Sequence, residues 1–531
     1  MYLKEESLLW AAKVAGSDPG DKSTRVCMPP RIANRHGLIT GATGTGKTVT
    51  LKVMAESFSD MGVPVFLADI KGDVSGICLP GESTENVNKR VEKLGVQGFA
   101  YTGYPTRFFD VYGKRGIPIR ALVSDMGPLL LARLLELTDA QEEVLAVCFK
   151  LADDNGWILT DTKDLRALFE YAGSHAKDLQ GSYGSIPPQT IASLQRKLVQ
   201  LDASGGNLFF GEPALDVHDW LQCDANGRGY IHLLHCVELV QNPLLYSTFL
   251  LFLLSELYEE LPEAGDLDKP KIVFFFDEAH LLFSTANAAL IRQVEQVARL
   301  IRSKGVGVYF VTQSPGDIPE TVLAQLGNKI QHALRAYTPK EQKAVRAAAQ
   351  SFRPNPAFDT EKTIGALGTG EALVSFLDED GIPQMVQQTK ILPPQSYMGV
   401  AEEILVDRLI TKDPLYAKYG KTVETQSAYE QLSEAAAAEA KEAEKAAAAA
   451  AKEKEKAAAA AQKEKEKAAK EKAKTKAKSS GKSGSSSQAG RVVGNVVNTA
   501  AREVTKNVVG SMFGKSVGTS IARGLFGTRK K

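Results

Sequence analysis

The stretch GATGTGKT, Gly41 to Thr48, decides the fold, because its glycines, lysine and threonine have the spacing of a phosphate-binding loop. Only glycine takes positive φ angles without steric cost, so the glycines let the backbone bend around an anion. Main-chain N–H groups and the positive end of a following helix then hold the phosphate. The alternative is a plain glycine-rich turn without a ligand.

Each position of this loop has a predicted task in binding ATP and Mg²⁺. The main-chain N–H groups that surround the β-phosphate belong to Gly41, Ala42, Thr43, Gly44, Thr45 and Gly46. Lys47 reaches the β- and γ-phosphates as a point charge, and the Thr48 hydroxyl ligates Mg²⁺. The apolar run before the loop and the helical pattern after it predict the strand, loop and helix order that the motif requires.

A second acidic element is expected, because bound Mg²⁺ needs a carboxylate near the P-loop threonine. The stretch KIVFFFDEAH, Lys271 to His280, predicts a buried parallel strand that ends in two carboxylates. Asp277 is predicted to hold the magnesium water. Glu278 is predicted to orient and polarise the water that attacks the γ-phosphate.

A further strand is predicted in GVGVYFVTQSPGDIP, residues 305–319, and it ends in Thr312 and Gln313. A polar side chain at this strand end either senses the γ-phosphate or only caps the strand. The helix before it carries several cations, Arg302 among them. Most such arginines are solvated, but one that reaches a neighbouring subunit's nucleotide would stabilise transition-state charge.

Together the motifs GATGTGKT, ADIKGDVSG, FFFDEAH, VTQSPGDIP and GNKIQHALRAYTP resemble the HerA-FtsK superfamily of ring-forming ATPases, specifically its bacterial HerA-like, YjgR-type subgroup. The resemblance runs from about residue 31 to 394 and includes the GLFGTRKK end. It implies an α/β fold with a RecA-like P-loop ATPase core and a mainly parallel sheet. It also implies a homo-oligomer, a hexameric ring, that uses ATP to move along double-stranded DNA.

The same resemblance implies roles for individual residues. Asp69 corresponds to an accessory acidic residue after the second strand, and Gln313 to the sensor of the γ-phosphate. Arg302 is the first candidate for a finger that acts in trans, with Arg35 and Arg335 as the second and third.

One departure from the family concerns the partner. HerA itself has a small β-barrel domain ahead of its P-loop, which helps to dock a nuclease. Here 34 residues precede Arg35, too few for such a barrel, so a nuclease partner of the HerA type is not expected.

Composition leaves more than one function open. The formal net charge is +1, so no global basic field points to nucleic acid, although a ring can concentrate basic groups in its pore. A ring ATPase that remodels or signals through proteins without DNA translocation is therefore the alternative function. A nucleotide-binding scaffold without turnover is a third, which Glu278 disfavours.

The chain is expected to be cytoplasmic. Its N-terminus lacks a secretory signal, and its five cysteines show no CxxC spacing, which is typical of free thiols in a reducing compartment. The longest apolar stretch, residues 244–257, is too short to span a bilayer and predicts a buried helix.

Composition shifts divide the chain into seven predicted segments. They are an N-terminal segment (1–34), a first core part with the P-loop (35–125), an α-helical insertion (126–212), a second core part with the acidic strand, the sensor strand and a closing hairpin (213–420), a charged Ala-rich helix (421–478), a flexible linker (479–490) and a basic glycine-rich tail (491–531). The insertion covers the nucleotide, engages a partner or only packs. The tail packs against another subunit, binds DNA or an anionic membrane, or is disordered.

Overall fold

The computed structural model describes residues 1–265, 267–284 and 288–476. The linker and tail predicted for 479–531 lie outside the described residues. One compact unit runs from Met1 to Ala438, and a second unit begins at Glu439. The unit that ends at Ala438 contains the P-loop and all the predicted site residues.

A single sheet forms the centre of the first unit. Its strands are β1 (Tyr2–Leu3), β2 (Leu8–Val14), β3 (Arg25–Met28), β4 (Gly37–Thr40), β5 (Val65–Asp69), β6 (Thr106–Asp110), β7 (Ile117–Pro118), β8 (Ile231–His235), β9 (Ile272–Phe276), β10 (Val306–Thr312), β11 (Asn328–Gln331), β12 (Glu371–Ser375) and β13 (Gln387–Ile391). Their order across the sheet is β1-β2-β13-β12-β11-β4-β10-β9-β5-β8-β6-β7, with β3 also paired to β2.

The half of the sheet from β11 to β7 is parallel throughout. Strands β5, β9 and β10 are buried along their whole length, because helices cover both faces of a parallel sheet and apolar runs such as IVFFF then have no solvent side. The predicted α/β fold with a mainly parallel sheet is confirmed. Parallel strands also place all their carboxyl ends at one edge.

The other half of the sheet is antiparallel. Strands β12 and β13 form the predicted hairpin, in which Glu371 pairs with Lys390. The hairpin turns at the predicted Gly381, whose φ angle of 79° favours glycine. Strand β13 pairs with β2, so the predicted N-terminal segment (1–34) contributes β1, β2 and β3 to the core sheet.

Helices cover the sheet and build the insertion. They are α1 (Lys47–Asp60), α2 (Glu85–Leu94), α3 (Val123–Leu134), α4 (Asp139–Asn155), α5 (Thr162–Ser174), α6 (Ala176–Tyr183), α7 (Pro188–Ala203), α8 (Gly206–Phe209), α9 (Pro243–Glu260), α10 (His280–Ser284), α11 (Ala288–Leu300), α12 (Glu320–Leu323), α13 (Pro339–Gln350), α14 (Thr360–Ala366), α15 (Glu403–Lys412), α16 (Pro414–Tyr419) and α17 (Ala428–Lys476). Helices α3 to α8 occupy the range predicted for a helical insertion, and the apolar helix α9 is buried as predicted. No helix among the described residues is long and apolar enough to cross a membrane.

The start of α17 belongs to the core and not to a separate charged helix. Ala428 and Leu432 are buried, and the Ser427 hydroxyl donates to Asp164 Oδ1 of α5 at 2.6 Å. The compact unit therefore continues to Ala438, beyond the sequence-based boundary at residue 420.

Candidate active site

The P-loop connects β4 to α1, which begins at Lys47. Gly44 and Gly46 have φ angles of 77° and 111°, so the loop curls and directs its N–H groups into the bend. Lys47 Nζ donates to the carbonyl oxygens of Gly41 at 2.6 Å and Ala42 at 3.2 Å. Burial lowers the pKa of Lys47, while the charges of Glu278 and Asp277 raise it. The charge of Lys47 at the P-loop therefore interacts with the charges of Glu278 and Asp277.

The segment that follows β11 contacts the P-loop and the helix after it. Ala42 N donates to Ala333 O at 2.8 Å. The His332 ring bridges Thr50 Oγ1 at 2.8 Å and Glu371 O at 2.9 Å, and burial lowers its pKa to about 4, so the ring is neutral. A side chain at Gly41 would come within 2.5 Å of His332 Cβ. His332 was not predicted, because its contact with the loop spans almost 300 residues of sequence.

Asp277 and Glu278 lie at the same sheet edge as the P-loop. They follow β9, and β10 lies between β9 and β4, with Phe310 beside Phe276 and Thr312 beside Thr40. Both carboxylates are less than one-tenth exposed. Burial raises the pKa of Asp277 to about 6, and a bound cation would reverse this. The structure thus brings Lys47, Thr48, Asp277 and Glu278 together.

The residues at this edge fit a magnesium ion. Thr48, half-buried in the first turn of α1, offers a hydroxyl, and Asp277 offers a buried carboxylate, which are the hard oxygen ligands that Mg²⁺ prefers. Glu278 Oε2 accepts no hydrogen bond among the described residues, although His280 Nδ1 lies 3.3 Å away. A buried carboxylate oxygen in this state is suited to accept from a water molecule.

Glu278 has a strained backbone, with a φ angle of 45° that is uncommon outside glycine. Its Oε1 atom lies 2.7 Å from Lys71 Nζ. Burial alone would raise the pKa of Glu278, but Lys71, His280 and Lys47 outweigh burial and lower it. Glu278 is therefore held as a carboxylate. Lys71 is a site residue that sequence reasoning missed, since a single loop lysine carries no spacing signal.

Asp69 ends β5 and organises the loop that carries Lys71. Its carboxylate accepts from the main-chain N–H groups of Gly72 at 2.8 Å and of Asp73 and Val74 at 3.2 Å. Burial raises the pKa of Asp69 to about 6, against these three hydrogen bonds. The Asp69 carboxylate is thus hydrogen-bonded to the main chain of the following loop. Its role as an accessory acid stays a prediction.

Gln313 directly follows β10 and is exposed. Because β10 lies between the strands that carry the P-loop and the acidic pair, Gln313 is placed between these two groups at the common edge. This position is compatible with contact to a γ-phosphate, and the role as a sensor stays a prediction.

The three candidate arginines lie at two different edges. Arg35 precedes β4 and Arg302 precedes β10, at the edge where these strands begin, and Asn34 Nδ2 donates to Arg302 O at 3.4 Å. Arg335 follows β11 at the P-loop edge and donates to Gly365 O at 2.9 Å. The seven residues of β10 separate the two edges by about 20 Å.

Comparison with known proteins places this site in a family. The family model described as "Helicase HerA-like C-terminal" matches residues 16–517. The "DNA double-strand break repair helicase HerA" of Sulfurisphaera tokodaii is 22% identical over 379 residues, which are 70% of this chain and 67% of the relative. Its namesake from Sulfolobus acidocaldarius is 22% identical over 64% of this chain, and the match covers 62% of that relative's own length.

Solved structures include distant neighbours of the fold. The bacterial conjugative coupling protein TrwB, in an unbound form, has a TM-score of 0.46 and 17% identity over 75% of this chain and 94% of its own. VirB4 of Thermoanaerobacter pseudethanolicus has a TM-score of 0.45 and 16% identity over 72% of this chain and 96% of its own.

The P-loop, the acidic strand end and the family match agree with one another. They identify an ATPase that uses ATP and Mg²⁺. The family model covers most of the chain, and the chain therefore belongs to the helicase HerA-like C-terminal family.

Proposed function

We propose that the chain is an ATP-driven motor that moves along double-stranded DNA as a ring of six identical subunits. The observation that carries the ring is the division of the site between two edges of the sheet. The phosphate-binding and acidic residues lie at one edge, whereas Arg302 and Arg35 lie at the other, about 20 Å away. A finger role for either arginine therefore requires the nucleotide of a neighbouring copy.

The residues at the P-loop edge divide the work of hydrolysis. Lys47 leaves the carbonyl groups of Gly41 and Ala42 and turns its ammonium group to the phosphates. Thr48 and Asp277 would hold Mg²⁺, which when bound would neutralise phosphate charge. Glu278 orients the attacking water through Oε2, while Lys71 holds Oε1. Gln313 contacts the γ-phosphate, and Arg302 of the next subunit stabilises the charge of the transition state.

The relatives support DNA as the substrate, since two of them are named as helicases of DNA double-strand break repair. The proposal places the motor in the cytoplasm. For the basic tail at 491–531, packing against another subunit and binding to an acidic surface, either duplex DNA or an anionic membrane, remain the two functional proposals. A nuclease partner of the HerA type is not part of the proposal.

The proposal is tested by ATP turnover with and without linear duplex DNA. We expect duplex DNA to raise kcat of the full chain, and Glu278→Gln to keep ATP binding but stop hydrolysis, because the carboxylate that polarises the attacking water is lost while the P-loop is unchanged. Glu92→Gln, on the exposed face of α2, is the matched control. Brisk turnover that duplex DNA leaves unchanged would favour the protein-remodelling alternative.

A further inference from the structure

A cleft of about 560 Å³ opens at the segment that follows β11, on the side of β4 away from Glu278. The segment after β11 forms one wall with Leu334, Arg335 and Tyr337. Helices α13 and α14 form the other, with Val345 and Gly365. The volume is typical of a cleft that binds a small ligand.

Both walls of this cleft are joined directly to the P-loop. The first wall begins one residue after Ala333, whose carbonyl accepts from Ala42 N at 2.8 Å. The second wall leads from α14 to Gly370, whose N–H donates to Thr45 O at 2.9 Å. The cleft and the phosphate site are therefore held in a fixed relation.

The sheet order sets the direction in which a bound nucleotide extends. Hydrolysis requires the γ-phosphate to face Glu278, which follows β9 on one side of β4. The α-phosphate, the sugar and the base then extend toward the other side of β4, where β11 lies. The cleft lies in that direction, because its lining begins at the residues that follow β11.

The lining suits a flat aromatic ligand. Leu334 and Val345 are 7% and 6% exposed and form an apolar floor. Tyr337 is 84% exposed, which is unusual for a residue with so large an apolar surface. Arg335 Nη1 donates to Gly365 O at 2.9 Å and so connects the two walls. Aromatic rings and guanidinium planes are the surfaces on which nucleobases stack.

We propose that this cleft binds the base of the nucleotide by stacking on Tyr337. The inference rests on the proposed ATPase function and adds the site that recognises the nucleoside. It makes Arg335 part of its own subunit's nucleotide site and not a finger for a neighbour. The polar side chains beside the stacking surface are exposed and not buried, namely Gln342, Asp359, Glu361 and Lys362. Stacking without buried edge contacts accepts both purines, so ATP and GTP bind alike.

The test compares nucleotides with inorganic tripolyphosphate, which has no base. For Tyr337→Ala in the full chain, we expect KM for ATP and for GTP to rise about tenfold, with kcat unchanged, because stacking on an aromatic ring is lost. Tyr337→Phe keeps the ring and should resemble the unmodified chain. Tyr416→Ala, at another partly exposed tyrosine, is the matched control. The inhibition constant of tripolyphosphate should be the same in all variants.

An unchanged KM in Tyr337→Ala would overturn the proposal. So would an equal weakening of ATP and tripolyphosphate, since that result would show damage to the P-loop and not loss of a base contact. Failure of tripolyphosphate to compete with ATP in the unmodified chain is a separate result. It would remove the phosphate site itself, and the base cleft with it.

Discussion

Two truncations near the start of α17 separate the core from the charged helix. One ends after Lys421 and the other after Ala438, the last residue of the compact unit. The shorter chain loses Leu432, which is 5% exposed, and Ala428, which is fully buried. It also removes two hydrogen-bond donors from Asp164, a fully buried carboxylate, namely Ser427 Oγ at 2.6 Å and Tyr429 N at 2.7 Å. The longer chain keeps all four contacts.

The cost of the shorter truncation follows from these contacts. Burial of one leucine side chain contributes about 1.5–3 kcal/mol to the free energy of unfolding. Each hydrogen bond to a charged group contributes about 1.5–3 kcal/mol, but water replaces the lost donors once the surface opens. We therefore expect a loss of about 3–5 kcal/mol, which lowers Tm by about 3–6 °C, because the unfolding entropy of a unit of this size gives roughly 1 °C per kcal/mol.

Thermal unfolding of both truncations, with basal ATP turnover as a second readout, checks this expectation. The chain that ends after Ala438 should match the full chain in both measurements. The chain that ends after Lys421 should unfold at lower temperature, with the helical insertion first. Equal Tm values for the two truncations would refute the argument that the start of α17 belongs to the core.

Two further predictions concern the catalytic edge and the finger. In Lys71→Ala, the pKa of Glu278 should rise, because fewer positive charges then oppose the effect of burial. The acidic limb of the pH profile of kcat should therefore move to higher pH. An unchanged limb would show that Lys71 does not act on Glu278. Arg302→Ala should keep nucleotide binding and lose turnover. In rings that mix Arg302→Ala with Glu278→Gln subunits, turnover should recover where the intact Glu278 of one subunit lies beside the intact Arg302 of its neighbour. Mixtures that stay inactive would favour action of Arg302 within one subunit or a structural role. Arg35 would then be the next candidate.

Sequence patterns predicted the parts of the fold that repeat a local rule. The P-loop, the strands that lead to Asp277 and Gln313, and the hairpin around Gly381 each carry their signal within about ten residues. Strand β6 was missed, because its stretch TRFFD contains the charged residues Arg107 and Asp110 and does not read as an apolar run. Arg107 is buried, and its charge is compensated by an ion pair with Asp413 at 3.1 Å. No local sequence pattern reveals this partner.

The N-terminal strands were missed for a similar reason. Lys13 lies within β2 and is 2% exposed, which a sequence pattern treats as solvent-facing. Its ammonium group donates to Pro19 O at 2.7 Å, so the charge is satisfied inside the fold. The same limit applies to the active site, where Lys71 and His332 act through residues far along the chain. Contacts between residues far apart in the sequence form only in the folded chain and leave no local sequence pattern.

The most direct test of the motor is movement along DNA itself. A short third strand bound to one end of a linear duplex reports a motor that reaches and displaces it. We expect the full chain to release the third strand only with ATP and Mg²⁺, and Glu278→Gln to bind the duplex without releasing it. Rapid ATP hydrolysis by the full chain on this duplex, with the third strand still bound, would contradict translocation along DNA.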